Sequence, residues 1–301
     1  MPPVPDNHYV AADQPLALAV KYALQPLLVI AALGVWLLDP AYPATFVLVI
    51  VGVQVILGSF EHLIPARPGW LIRGWEKIVN IVLVIVLSSG TVVIADWYNQ
   101  VMAAPLAELR SSLHLDIWPH HWPLLAQMFM VFFLSEFIWY WVHRAEHRWP
   151  LVWRLSGHGA HHSFKRLGAL NFGLNHPLEL FLLVLPAALV ELTFGVGVAV
   201  VGAAILTTTQ ASIAHANLDL NSRVIGWLFT TNTHHLRHHS AVLDESNTNY
   251  GCSAIVWDRL FGTFADSRSL EAGIGPTEPS LWAKFLMPVR EPRDSQVAPG
   301  N

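Results

Sequence analysis

Eleven of the chain's sixteen histidines fall between His143 and His239, most of them at helical spacings. They read His143-x3-His147, then His158-x2-His161-His162, then His235-x2-His238-His239 with His234 just ahead. Positions i, i+3 and i+4 of a helix share one face, so each set can aim two or three imidazoles at one point. Neutral imidazole is a ligand for iron, zinc and copper. At 16 histidines in 301 residues, chance supplies an H-x-x-H-H about 0.04 times in such a chain. It occurs twice, so scattered surface histidines do not account for the pattern. Eight clustered ligands with one or two more exceed the needs of one ion. Four or five nitrogens each would serve two ions and leave positions open.

The other candidates are weaker. His176 and His215 stand alone, one at each end of an apolar stretch over 178–214, and both are counted as candidate ligands. His234 pairs with His238 at i+4, but no helix face holds His234, His235, His238 and His239 equally well, so His234 reads as an outer or substrate-pocket residue. Glu136 lies seven residues before His143 on the same face. A carboxylate inside an apolar segment needs a partner. The expectation is that it hydrogen-bonds a ligating histidine and fixes its tautomer. No catalytic residue beyond the metal ligands is evident. His8, His62, His114, His120 and His121 read as loop residues.

Composition says what must carry these side chains. Hydrophobic residues make up 53% of the chain and charged residues only 13%, with a mean hydropathy of +0.44. A soluble domain carries nearer a quarter charged residues, so lipid must cover part of this surface. The formal charge of −4 argues against a nucleic-acid partner. The one cysteine, Cys252, excludes an internal disulfide and any multi-cysteine metal site.

Four stretches are long and apolar enough to span ~30 Å of hydrocarbon: about 16–38, 44–60, 78–95 and 123–142. The first is the weakest, since it holds Lys21 and Pro26. The stretch 178–214 is too long for one span and is broken by Gly195 and Gly197, which predicts a membrane hairpin. Arg67, Arg73 and Lys77 follow the second span, only Arg110 follows the third, and Arg144, Arg148, Arg154, Lys165 and Arg166 follow the fourth. The positive-inside rule then puts both termini and every histidine set on the cytoplasmic side. The fold class is therefore all-α, a polytopic membrane helical bundle with a cytosolic-face, histidine-rich di-metal site. Its parts are 1–122, the N-terminal transmembrane helices and loops; 123–265, the histidine-rich catalytic region with its hairpin; and 266–301, a partly disordered C-terminal tail. In that tail, 281–287 reads as a short amphipathic piece on the membrane surface. Trp139, Tyr140, Trp141, Trp149 and Trp153 read as an aromatic belt at headgroup level.

Over residues 136–264 the chain resembles the fatty acid hydroxylase/sterol desaturase superfamily of integral-membrane di-iron oxygenases. The resemblance rests on the three histidine sets in order, each of the last two followed by serine. It continues through Asn249-Tyr250-Gly251 and through Trp257-Asp258-Arg259 with the Leu-Phe-Gly-Thr-Phe run that follows. Glu61-x3-Pro65 is similar to the family's N-terminal half. The resemblance implies two iron ions ligated by the eight clustered histidines, extending to His215 in His-Ala-Asn and His176 in Asn-His-Pro-Leu-Glu. It implies O2-dependent hydroxylation or desaturation of a lipid C–H bond, fatty acyl, sterol or related. Electrons would come from a separate donor of ferredoxin, cytochrome b5 or reductase type. The rival class is a histidine-rich membrane metal transporter or metal-binding protein. Transporters place ligands near mid-membrane, whereas these sets follow the spans. A zinc hydrolase would need a carboxylate pattern such as H-E-x-x-H, which is absent.

Overall fold

The computed structural model describes residues 8–290, and the ends of the first and last sequence-defined parts, 1–7 and 291–301, lie outside them. Within the described residues the chain is helical, with one isolated bridge between Ser240 and Ala272. Four helices are long and apolar enough to cross a membrane: α1 (Pro15–Leu38), α2 (Thr45–Leu63), α3 (Gly74–Ser112) and α4 (Leu124–Arg148). Two short helices, α5 (Pro150–Ser156) and α6 (His158–His162), follow α4 directly. Then come α7 (Glu179–Phe194) and α8 (Ala199–His215), the hairpin predicted for 178–214. Its turn falls at Gly195, whose φ of 66° is left-handed backbone that suits glycine. Short helices α9 (Asn232–His238), α10 (Leu243–Ser246), α11 (Val256–Phe261) and α12 (Leu281–Phe285) complete the chain.

Helix α8 is the centre of the bundle and touches α1, α2 and α4, while α7 lies along α3 and α4. The core at these contacts includes Trp36, Leu57, Met128, Phe132, Ile205 and Leu206, all fully buried. The outer faces are equally apolar. Ile30, Val51, Val55, Ile85 and Val93 are exposed, and only lipid makes such a continuous apolar surface favourable. This is an integral membrane protein whose polar groups are spent inside. Lys21 and Pro26, which weaken the first span in sequence, are both accommodated. Lys21 pairs with Asp219 at 2.9 Å, and α1 stays helical through Pro26.

The third span runs further than hydropathy predicts. At 39 residues α3 is about 58 Å long, against ~30 Å of hydrocarbon. Its polar continuation past residue 95 stays helical and carries Tyr98, whose hydroxyl donates to Phe181 O on α7 (3.0 Å). Of the aromatic belt, Trp141 and Trp149 are exposed, but Trp139, Tyr140 and Trp153 are buried. Those three are packing residues of the histidine region. His62 lies in α2, not in a loop, with Nδ1 against Gly58 O.

The described part of the tail is not a detached segment. Residues 265–275 run across the histidine helices. Gly273 N donates to His239 O and Ile274 N to His162 O, both at 2.8 Å. Helix α12 exposes Leu281, Trp282 and Phe285, an apolar face suited to a membrane surface, while Lys284 is buried and pairs with Glu278 at 2.8 Å.

Candidate metal centre

Nine histidines converge in two adjacent groups at one end of the bundle. His143, His147, His158, His162 and His238 form one, and His161, His215, His235 and His239 form the other. Each H-x-x-H-H is divided between them. The two histidines four apart, His158 with His162 and His235 with His239, face the same group. The residue at i+3, His161 or His238, faces the other. Sequence spacing predicts three imidazoles aimed at one point. A helix turns 100° per residue, so i+3 and i+4 diverge enough for two neighbouring points to divide them. His162 and His239 stack with ring centroids 4.3 Å apart and join the two groups.

The second ring nitrogens show how the ligands are set. His143 Nδ1 faces Tyr250 O (2.7 Å), His238 Nδ1 faces Thr248 O (2.9 Å), His161 Nδ1 faces Leu174 O (3.3 Å) and His215 Nδ1 faces Ala211 O (2.8 Å). A carbonyl can only accept, so in all four Nδ1 carries the proton and Nε2 presents a lone pair. Yet His143 Nε2 lies 3.0 Å from His238 Nε2, and His161 Nε2 lies 3.3 Å from His215 Nε2. Two lone pairs at that distance, at least one such contact in each group, repel unless a cation sits between them. Burial opposes a proton in that place. It holds His158, His162, His235, His238 and His239 well below the ordinary imidazole range, with neighbouring histidines adding to the effect. It brings His161 down to about 4. Two nitrogens bound at ~2.1 Å to one ion, at right angles, stand about 3.0 Å apart. Both ring nitrogens of His162 and the Nδ1 atoms of His235 and His239 are buried without partners. The donor set thus fits two nitrogen-ligated metal ions.

The supports come from three directions. Glu179, at the start of α7, accepts from His158 Nδ1 at 2.7 Å, and the Glu146 carboxylate lies 3.9 Å from the same atom. Both carboxylates are buried. With the His158 ring they form a third cluster of possible metal donors. Because His158 Nε2 lies 3.0 Å from His143 Nε2, its Nδ1 edge is the outer edge, and the two glutamates are best read as orienting that ring. Asp258 holds the loop that carries two acceptor carbonyls: its oxygens accept from Tyr250 N and Gly251 N, both 2.7 Å, and from Thr263 Oγ1 (2.6 Å). Trp139 stacks on His143 at 5.1 Å and Trp153 meets His147 edge-on at 5.1 Å, so apolar walls enclose the centre.

Three sequence candidates lie outside both groups. His176 places Nε2 against Phe285 O (3.1 Å), and its Nδ1 accepts from Leu178 N (3.1 Å). Both nitrogens are engaged away from the centre. His234 bonds Thr231 Oγ1 (3.1 Å) and Asp266 Oδ1 (3.3 Å). Glu136 accepts from Thr207 Oγ1 (3.1 Å) and Ser253 N (3.2 Å), not from a histidine. Seven helical residues are roughly 10 Å of axis, too far for its carboxylate to reach His143. The two glutamates that do approach a histidine were legible only weakly, as Glu146 inside His143-x3-His147 and Glu179 three residues after His176.

Gly157 sets the start of α6. It closes α5 in a left-handed conformation, φ 75°. A Cβ there would come within 2.4 Å of the His176 ring. Gly157→Ala is expected to displace His158 and to cost about 1–3 kcal/mol, read as a lower thermal midpoint with lower metal content. Adding His176→Ala removes the clash but not the backbone strain, so it restores only part of the loss.

A profile of the fatty acid hydroxylase family matches residues 128–263. Among curated proteins the chain is similar to the ornithine lipid hydroxylase of Rhizobium tropici, 30% identical over 224 residues, covering 73% of this chain and 66% of that protein. It is 28% identical to the lathosterol oxidase of Mus musculus over 177 residues, 57% of each chain. It is 27% identical to the alkylglycerol monooxygenase of Xenopus tropicalis over 143 residues, 46% of this chain and 30% of that one. The matched stretches thus cover less than two thirds of these relatives' own lengths. No solved structure gives a significant match.

Proposed function

This chain belongs to the fatty acid hydroxylase family, and on that footing we propose that it is an O2-dependent oxidoreductase that hydroxylates or desaturates a C–H bond of a membrane lipid. What carries the proposal is the pair of lone-pair contacts, His143 with His238 and His161 with His215, buried beside one another at the end of an apolar bundle. All-nitrogen sets without thiolate suit iron, and a pair of irons would supply the dioxygen chemistry that an unactivated C–H bond requires. Zinc has no redox chemistry and would not serve.

The chain's own residues then have definite tasks. The first group of five and the second of four would each hold one iron, through Nε2 wherever Nδ1 faces a carbonyl or carboxylate. The carbonyls of Tyr250, Thr248, Leu174 and Ala211 keep the Nδ1 protons in place, so the lone pairs stay turned inward. Glu179 does the same for His158. Trp139, Trp153 and the 265–275 segment would keep bulk water from the centre and so limit side reactions there. Electrons would arrive from a separate donor of ferredoxin, cytochrome b5 or reductase type. The basic residues that follow the second and fourth spans favour the cytoplasmic side for the metal end. The relatives named above act on an ornithine lipid, a sterol and an alkylglycerol, and a membrane-resident lipid is their shared feature.

The test is turnover by purified, iron-loaded protein with a reducing donor and a panel of membrane lipids, followed by mass spectrometry. Gain of one oxygen or loss of two hydrogens, dependent on both iron and O2, is the expected result. No change in any lipid class with both ions bound would reject the proposal.

A further inference from the structure

A cavity of about 20 Å³ opens between the loop after α2 and the end of α8, and His215 forms part of its wall. It therefore adjoins the second histidine group. Arg67 also lines it, and its side chain is only 4% exposed as a residue. One Arg67 Nη2 donates to Ser269 O at 3.2 Å, but the buried Nε has no partner. Among the described residues no carboxylate pairs with it. A buried guanidinium without a counter-charge is costly. Burial lowers its pKa to about 10, so it stays charged at neutral pH.

The guanidinium is also fixed in place. Asn217 clamps the Arg67 backbone, accepting from its N–H and donating to its carbonyl, both at 2.8 Å. The rings of Trp70 and Tyr9 lie 4.5 and 5.4 Å from the guanidinium carbon. A second arginine, Arg268, lines the same cavity and sits 3.7 Å over the Tyr9 ring. Arg268 lies 3.6 Å from Asp219, which already takes Lys21 at 2.9 Å. Two cations thus share that one anion, while Arg67 has no ion-pair partner among the described residues. The enclosed space holds about one water, so a larger oxyanion would place one oxygen inside and the rest at its open mouth; planar guanidinium donors match oxyanions best.

We propose that Arg67 and Arg268 form a binding site for the oxyanion, carboxylate or phosphate, of a lipid headgroup seated beside the second histidine group. That this lipid is the substrate rests on the function proposed above; the binding does not. A headgroup held there would fix which part of the lipid can approach the metal centre.

Full-length protein in neutral maltoside detergent is titrated with short-chain phosphatidic acid, with the matching diacylglycerol and with inorganic phosphate. Affinity is followed by thermophoresis and the thermal midpoint by differential scanning. Phosphatidic acid is expected to bind and raise the midpoint, and diacylglycerol to do neither. Arg67→Gln is expected to weaken phosphatidic acid at least tenfold, Arg67→Lys less. If Arg67→Gln does not fold, Arg268→Gln, at a partly exposed position, carries the test. Inorganic phosphate binding as tightly as phosphatidic acid would make this a free-anion site and overturn the headgroup assignment. Equal binding of diacylglycerol, or no loss in either arginine variant, would overturn the site itself. Binding without lipid turnover by the iron-loaded protein would leave the pocket standing and count against the oxidoreductase.

Discussion

The unaltered protein is expected to bind two metal ions per chain, purified His215→Ala only one, and His176→Ala both. In sequence the two residues look alike, each a lone histidine at one end of the 178–214 stretch. Their surroundings differ. His215 Nε2 lies 3.0 Å from His235 Nε2 and 3.3 Å from His161 Nε2, with its proton held on Nδ1 by Ala211 O. Removing it takes the group of four down to three nitrogens. The group of five is untouched, so it keeps its ion. Activity should fall by more than the roughly 10–100-fold typical of losing an outer hydrogen-bond partner, since a ligand itself is gone. His176 has both nitrogens occupied by Phe285 O and Leu178 N, so its loss should appear in the thermal midpoint instead. Metal analysis by inductively coupled plasma mass spectrometry on both variants decides the matter. Two ions in His215→Ala, or one in His176→Ala, would contradict the division into groups of five and four.

The reach of sequence reasoning follows from range. The spans were legible because lipid imposes a one-dimensional rule, length and apolarity, that survives without knowing the neighbours. Thus α1, α2 and α4 match their predicted stretches within a few residues at most ends, and α4 runs on through the first histidine pair, as the helical spacing of His143 and His147 implies. The hairpin was legible because Gly195 and Gly197 interrupt an overlong run. Helix α3 was not bounded correctly, since its last turns are polar and hydropathy stops where lipid stops, not where the backbone hydrogen bonds stop. Histidine spacing shows that imidazoles share a face, but cannot show that they divide into two groups, because the division depends on where α4, α6, α8 and α9 meet. The same limit misdirected Glu136. Its helix face was right, yet its partners Thr207 and Ser253 come from elsewhere in the chain. Trp139 and Trp153 were read as headgroup anchors because a run of aromatics near a span end has the same composition whether it faces lipid or a buried imidazole.

Asp258→Ala is expected to be among the most destabilising single substitutions in the histidine-rich half, although Asp258 hydrogen-bonds no histidine. Its carboxylate is fully buried and accepts three hydrogen bonds, from Tyr250 N, Gly251 N and Thr263 Oγ1. Alanine leaves two buried backbone donors and a hydroxyl without that acceptor, at about 1–3 kcal/mol each when unsatisfied. Partial relaxation brings the sum to roughly 3–5 kcal/mol. The damage should also be chemical. The loop it braces presents Thr248 O to His238 and Tyr250 O to His143, and Asn247 Oδ1 to His147 at 3.3 Å. Three of the five imidazoles in the first group therefore owe their orientation to this loop. Once it relaxes, their Nδ1 protons lose fixed acceptors and their Nε2 lone pairs lose a common focus. The ion in the first group should be bound less tightly, while the second group, whose tautomers are set by Leu174 O and Ala211 O, keeps its own. Asp258→Asn retains the shape but turns an amide donor toward backbone N–H groups, so it should fall between. Chemical denaturation in detergent gives the stability term, and titration with a chelator gives the order in which the two ions leave. Equal release of both ions, or a stability change below about 1 kcal/mol, would show that the loop is held by something other than this carboxylate.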